Sequence, residues 1–158
     1  MAKLDLSLSP DELESFLASQ RTIRLATATF LGRPHVVPLW FVWVDATVFM
    51  NSTRGNVTIR NLERNPVATG SIDDGDVYEK LRGVLVQGEV EWADDDRRLE
   101  TVKGVSSRKY MAGGPVPYDR WKDRVWFRLV PKRITSWDFR KIPEAKAKAR
   151  AHREGADA

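Results

Sequence analysis

Hydroxyl, amide and guanidinium side chains follow an apolar stretch over residues 48–50. The pattern is typical of a strand that ends in a loop, and the loop precedes a short helix over 57–65 that Pro66 ends. Backbone N–H groups at the start of a helix, together with hydroxyls and guanidinium groups, form binding sites for phosphate. The sequence therefore predicts a phosphate site here, and an ordinary solvated loop is the alternative. The side chains of this predicted site are Asn51, Ser52, Thr53, Arg54 and Arg60.

Other chemically active residue types are scarce. The chain has no cysteine and only two histidines, His35 and His152, so disulfides, thiolate ligands and cysteine nucleophiles are excluded and a histidine-based metal site is not expected. An acidic turn over 73–76 lacks the further spacing of a calcium-binding loop. No arrangement of an acid, a base and a nucleophile is recognisable, so we predict no metal site and no catalytic side chain.

The composition indicates a globular protein with an anionic ligand. The 158 residues include 42% hydrophobic and 30% charged side chains, with a formal net charge of +4, which suits one domain with a sizeable core. Basic residues do not alternate with aromatic ones as in nucleic-acid-binding segments, so we expect no nucleic acid partner. The sequence also lacks a long apolar stretch and a signal peptide, which predicts a cytoplasmic protein without a membrane partner.

The elements that must position the predicted site are mostly strands. Ser9, Pro10 and Glu12 begin a helix with a capping box. A strand over 21–30 places Ile23, Leu25 and Thr27 on one face. The stretch over 35–44 is apolar on both faces, which predicts a strand covered on both sides, and its proline at position 38 requires a bulge or a sheet edge.

The second half of the chain continues the same pattern. Strands are predicted over 67–72 and 81–92, followed by a helix over 94–102 with Asp94 as its N-cap. Pro131 divides the last apolar stretch into two predicted strands, 124–130 and 133–139. The count is six or seven strands and three helices, and the short early connections favour an antiparallel β-barrel with helices packed outside it. We expect a domain over 1–141 and a basic, alanine-rich tail over 142–158.

From residue 8 to about residue 141, the chain resembles the pyridoxamine 5'-phosphate oxidase-like superfamily, the flavin-binding split β-barrels. The order and spacing of several segments carry this resemblance more than any one of them does. The segments are 22–27, 32–40, 49–53, 60–66, 82–90 and 134–139. The resemblance implies an α+β fold with an antiparallel six- to seven-stranded split barrel.

The resemblance also implies a cofactor site. Members of the superfamily are typically homodimers that bind flavin nucleotides in clefts between the subunits. By similarity, Asn51 to Arg54 and Arg60 would hold the phosphate end of the cofactor, and Trp137 and Asp138 would approach from the partner chain. The residues expected to line the ring are Val36, Val37, Pro38 and Leu39.

The chain departs from the superfamily pattern at the phosphate end. Many relatives carry a lysine where this chain has Thr58 and Ile59, and the serine-arginine-lysine set of the pyridoxamine phosphate oxidases is absent. Pyridoxal phosphate synthesis is therefore not expected. The branch that lacks this set includes proteins that use coenzyme F420, and arginines at 54, 60 and 64 suit the acidic tail of that coenzyme.

The resemblance leaves the cofactor open between FMN and coenzyme F420. It implies an oxidoreductase that transfers hydride to or from an unknown small molecule, and a catalytic side chain is not needed when the cofactor performs that chemistry. The alternative is a non-catalytic protein that stores or carries the flavin or coenzyme F420. A haem protein is less favoured, because His35 and His152 are the only histidine ligands available.

Overall fold

A seven-stranded antiparallel sheet curls into a half-barrel with helices packed on both of its faces. The computed structural model describes residues 4–94, 96–115, 121 and 123–156. Within them the sheet has the strand order β2-β1-β5-β6-β7-β4-β3. The strands are β1 (Thr22–Ala28), β2 (Pro34–Trp40), β3 (Val42–Val44), β4 (Thr47–Thr53), β5 (Val67–Asp74), β6 (Arg82–Trp92) and β7 (Arg124–Asp138). The helices are α1 (Pro10–Ser19), α2 (Val57–Arg64), α3 (Leu99–Met111) and α4 (Ile142–Ala156). This architecture confirms the predicted α+β split barrel.

Two hydrophobic clusters fill the two faces of the sheet. The first lies inside the half-barrel, where Val48 and Met50 of β4 pack with Ile59 and Leu62 of α2. The second lies outside, where Phe49 of β4 packs in a cluster that includes Val102 of α3. Successive residues of a strand point to opposite faces, so β4 separates the α2 side of the molecule from the α3 side.

Strand β1 and helix α1 form as the sequence predicts. Ile23, Leu25 and Thr27 are buried, whereas Thr22 and Arg24 on the other face are exposed. Alternation with a period of two residues therefore gave the correct buried face. Ser9 caps α1 through the expected capping box.

Strand β2 lies at the edge of the sheet, contrary to the prediction of a strand covered on both sides. It pairs only with β1, and Val36 and Trp40 on its outer face are 57% and 45% exposed. The apolar stretch also breaks at Phe41, after which β3 begins. The edge position confirms the requirement set by Pro38, because a residue without an N–H group is tolerated there.

Two further predictions are wrong in the second half of the chain. Pro131 does not divide β7, because a shift of register places it opposite Gly88 and the strand continues. Helix α3 begins at Leu99 with Arg98 as its N-cap, and Asp94 instead accepts a hydrogen bond from the backbone N–H of Trp126 at 2.9 Å. The helix therefore extends to Met111, well past the predicted end.

The C-terminal segment is helical over Ile142–Ala156, and its separation from the rest as a tail over 142–158 stays a prediction. None of the helices described in this structure is both long and apolar enough to cross a membrane.

Candidate functional site

The predicted phosphate residues lie where β4 meets α2, but the strand distributes them between two faces. Ser52 is buried, and its Oγ accepts a hydrogen bond from Asn56 Nδ2 at 2.7 Å. Asn51 lies on the other face, where its Oδ1 accepts a hydrogen bond from Arg124 Nη1 at 2.6 Å. The side chains of Asn51 and Ser52 therefore do not converge on one ligand atom.

The turn between β4 and α2 is held by its own hydrogen bonds and presents cationic groups. Asn56 caps α2 by accepting the backbone N–H of Ile59 at 2.9 Å. The guanidinium of Arg60 donates to the carbonyl of Gly55 at 2.9 Å. Arg54 lies 4.0 Å from the carboxylate of Asp94, with 61% of its side chain exposed, so that pair is weak. Both guanidinium groups consequently remain able to bind an anion at the start of α2.

A cavity of about 320 Å³ opens on the α3 side of β4. The chain from β2 into β3 forms one wall, the end of β4 a second, helix α3 a third and the start of β7 the last. The lining residues are 38–42, 49–51, Ser106, Tyr110, Trp121, Arg124 and Trp126. Residues 38–40 of this lining belong to β2, the strand expected to meet the cofactor ring.

Aromatic rings dominate the walls of this cavity. Trp40 stacks on Tyr110 with ring centroids 4.3 Å apart and planes within 8° of parallel. Trp121 meets Trp40 edge-on at 6.4 Å. The guanidinium carbon of Arg124 lies 4.6 Å from the centroid of Trp121. Because Arg124 is itself exposed, the cavity has an apolar, aromatic interior and a cation at its opening.

Tyr110 joins α3 to the junction between β2 and β3. Its hydroxyl oxygen accepts the backbone N–H of Phe41 at 2.9 Å and lies within 2.7 Å of the carbonyls of Arg21 and Phe41, to one of which it donates its proton. Burial raises the pKa of Tyr110 to about 12, so the hydroxyl stays protonated at neutral pH. Its role here is to hold the stacked wall in place.

The neighbouring Lys109 is directed towards α1 and not into the cavity. Its ammonium donates to the carbonyl of Leu17 at 3.2 Å and lies 4.1 Å from the ring centroid of Phe41. Burial, with a smaller effect from Arg21, lowers the pKa of Lys109 to about 8. The lysine thus satisfies a carbonyl near the end of α1, an ordinary structural role.

Trp137 and Asp138 lie at the far end of β7 from Asn51. Asp138 is buried, and its ion pair with Arg140 lowers the pKa of its carboxyl group. Trp137 covers Gly83, where an added Cβ would lie 2.4 Å from the indole ring. Asn51 pairs with Trp126, and at about 3.3 Å per residue β7 carries Trp137 roughly 35 Å further along. One chain therefore does not bring these two residues to the cavity.

The structure thus divides the predicted cofactor residues into separate groups. Pro38, Leu39 and Asn51 line the cavity, and Val36 and Val37 adjoin it on β2. Ser52, Thr53, Arg54 and Arg60 surround the turn before α2, and Trp137 and Asp138 are distant. Their roles in binding a cofactor stay predictions.

Sequence reasoning missed Arg124, Tyr110 and Trp121. Arg124 lies opposite Thr53 where β4 pairs with β7, and no local pattern of the sequence indicates that pairing. Tyr110 falls beyond the predicted end of its helix, and no local pattern marks Trp121. These three residues meet only because the fold joins distant parts of the chain.

A known protein family and several solved structures match most of this chain. The family model described as pyridoxamine 5'-phosphate oxidase matches residues 9–138. A conserved hypothetical protein of Mycobacterium tuberculosis is 29% identical, with a TM-score of 0.79 over 90% of this chain and 92% of that one. No curated protein sequence matches the chain.

Two further solved structures carry descriptions of their ligands or activity. One described as an F420 reductase is 28% identical, with a TM-score of 0.60 over 77% of this chain and 94% of its own. A FAD-binding protein of Mesorhizobium loti is 25% identical, with a TM-score of 0.65 over 82% of this chain and 94% of its own. The split barrel, its strand order and the match over residues 9–138 agree with the resemblance seen in the sequence, and the chain belongs to the pyridoxamine 5'-phosphate oxidase family.

Proposed function

We propose that this protein is an oxidoreductase that binds FMN or coenzyme F420 and transfers hydride to or from a small molecule. The observation that carries the proposal is the aromatic cavity between edge strand β2 and helix α3, beside the cationic turn before α2. Similarity to an F420 reductase and to a FAD-binding protein supports a cofactor of the flavin class.

The residues at β2 suit a flat ring with one polar edge. An edge strand presents backbone N–H and C=O groups that no neighbouring strand uses, and such groups match the alternating donors and acceptors of a flavin or deazaflavin ring. Val36, Val37 and Leu39 supply apolar contact beside them, and Pro38 keeps that edge free of a further strand. These residues would hold and orient the ring.

The residues before α2 suit the phosphate end. Thr53, Arg54 and Arg60 are exposed around the start of that helix, where backbone N–H groups also favour an anion. Arg64 in the last turn of α2 adds a further positive charge, which suits the acidic tail of coenzyme F420. The same turn suits the single phosphate of FMN.

A homodimer would complete the site. The cavity volume of about 320 Å³ lies at the low end of the range for ligand sites, about 300–1,000 Å³, so one chain does not enclose a cofactor together with a substrate. Val36 and Trp40 expose apolar surface on the outer face of β2. A second chain packed there would cover that surface and bring its own Trp137 and Asp138 towards the cleft.

The protein's part in the chemistry is to bind, orient and exclude water. When bound, a flavin or deazaflavin supplies a two-electron hydride transfer. In the described residues of the cavity, the polar side chains are Asn51, Ser106, Tyr110 and Arg124. None of them is a general base at neutral pH, which agrees with a reaction in which the cofactor performs the chemistry.

The proposal is tested by titrating the purified protein with FMN and with coenzyme F420 in parallel, followed by absorbance and fluorescence. We expect saturable micromolar binding of one of them, and a dimer by light scattering. Bleaching of the bound cofactor by a reductant, and its return on addition of an acceptor, distinguishes an oxidoreductase from a storage or carrier protein. If neither cofactor binds, the proposal is wrong.

Two substitutions test the phosphate assignment. We expect Arg54→Ala and Arg60→Ala each to weaken cofactor binding by about 1–2 kcal/mol, because each removes one exposed charge-assisted contact to the phosphate end. Dissociation constants from the same titration measure the effect. Arg133→Ala on β7 removes an exposed charge elsewhere and serves as the control. Unchanged affinity in both test variants would contradict the assignment.

A further inference from the structure

The cavity differs in character from the cationic turn, although the two are close together. The turn lies before α2, which packs against the inner face of β4, whereas the cavity lies on the outer face, which α3 covers. Building on the proposed function, we infer that this cavity is the substrate pocket and that it selects a flat, apolar molecule with one anionic group. In this arrangement Arg124 and Asn51 hold the anion.

The aromatic walls determine the body of the ligand. The stacked pair of Trp40 and Tyr110 presents a flat π surface, and Trp121 lies edge-on beside it. Phe49 and Trp126 continue the apolar lining. Planar rings gain dispersion and offset-stacking contacts on such a surface, whereas a hydrated polar molecule would lose its water shell without replacement. The volume of about 320 Å³ admits a small fused ring system.

The opening of the cavity determines the charge of the ligand. In the described residues Arg124 contacts the amide oxygen of Asn51 and the ring of Trp121, and neither partner carries a negative charge. Because the amide oxygen of Asn51, a lining residue of the cavity, accepts that hydrogen bond, its Nδ2 group is the donor that this side chain offers. The opening therefore offers a guanidinium and an amide N–H, which together match a carboxylate or another anionic oxygen group.

The test compares two probes of nearly equal shape, 2-naphthoate and its neutral amide, by isothermal titration calorimetry on the full-length protein. We expect 2-naphthoate to bind at least tenfold more tightly than 2-naphthamide. Arg124→Gln should abolish this preference and Arg124→Lys should retain part of it. Arg133→Gln, on the same strand, should leave it unchanged, and Trp40→Ala should weaken both probes alike.

Several results would overturn the inference. They are equal affinity for the two probes, a preference that survives in Arg124→Gln, and no binding of either probe. Expulsion of 2-naphthoate by saturating FMN or coenzyme F420 would also overturn it, since the cavity would then be the cofactor site, whereas simultaneous binding supports it.

The two proposals fail separately. If a cofactor binds but neither probe does, the inferred substrate pocket is wrong and the proposed function stands. If 2-naphthoate binds selectively but no cofactor binds, the proposed oxidoreductase function is wrong, and the cavity is an anion-selective aromatic pocket with no part in hydride transfer.

Discussion

Replacing Gly88 with alanine is expected to lower the free energy of unfolding by about 3 kcal/mol. Gly88 lies in β6 where the register with β7 shifts, and a Cβ atom built there would be 2.0 Å from the carbonyl oxygen of Val130. Inserting a methyl group into a packed region costs about 1–3 kcal/mol. The upper end applies because the obstacle is the backbone of a paired strand and not a flexible side chain. Urea denaturation followed by circular dichroism measures the change.

A second glycine provides a control in which alanine is expected to raise the free energy of unfolding. Gly104 lies inside α3, and the nearest atom to an added Cβ is Nη1 of Arg108 at 3.6 Å, the mobile end of a long side chain. Alanine in a helix interior is favoured over glycine by about 0.5–1 kcal/mol. Gly104→Ala should therefore stabilise the protein slightly. If Gly88→Ala is as stable as the unsubstituted protein, the described contact between β6 and β7 is incorrect.

The bulge at Gly88 also explains why the sequence predicted two strands where β7 is one. Proline lacks the N–H that a sheet ladder requires, so Pro131 indicates a break when only its own neighbourhood is considered. The structure places it opposite a glycine whose missing side chain allows the extra residue of the bulge. The pairing of these two distant residues is not visible in any local window of the sequence.

The exposed outer face of β2 shows what an apolar sequence pattern does not predict. An apolar stretch on both faces predicts that both faces will be covered, but it does not identify what covers them. Inside the chain β2 meets only β1, and Val36 and Trp40 are left exposed. Under the proposed function a second chain covers them. The predicted coverage of both faces is therefore wrong for the chain by itself, because the outer face of β2 has no neighbour within it.

For the candidate site, several of the predicted residues lie near one another around β4, but the sequence did not predict their individual contacts. Asn51 and Ser52 are consecutive on a strand, so strand alternation sends their side chains to different faces. Arg124, which pairs with Asn51, comes from the far end of the chain. Tyr110 was missed because the predicted helix ends at residue 102, whereas α3 continues to Met111.

Replacing Tyr110 with phenylalanine is expected to lower the free energy of unfolding by about 2 kcal/mol. The change removes the acceptor of the backbone N–H of Phe41, a residue that is 1% exposed. A buried donor left without a partner costs about 1–3 kcal/mol. The stacking of the ring on Trp40 is retained, so the shape of the cavity wall should survive. Tyr78→Phe, at a residue that is 63% exposed, is the matched control and should change stability little.

The pH dependence of stability shows whether the effect of Tyr110→Phe comes from the buried hydroxyl or from altered packing. Burial raises the pKa of Tyr110 from 10.0 to about 12, so the native state keeps its proton after the unfolded chain has lost it. A group with a raised native pKa contributes its full stability below the unfolded pKa and loses it as the pH rises towards the native one. The stability difference between the unsubstituted protein and Tyr110→Phe should therefore be constant up to about pH 9 and shrink above pH 10. A difference that stays constant to pH 11 would show that the hydroxyl is not held in this buried, protonated arrangement, because an exposed tyrosine titrates equally in both states.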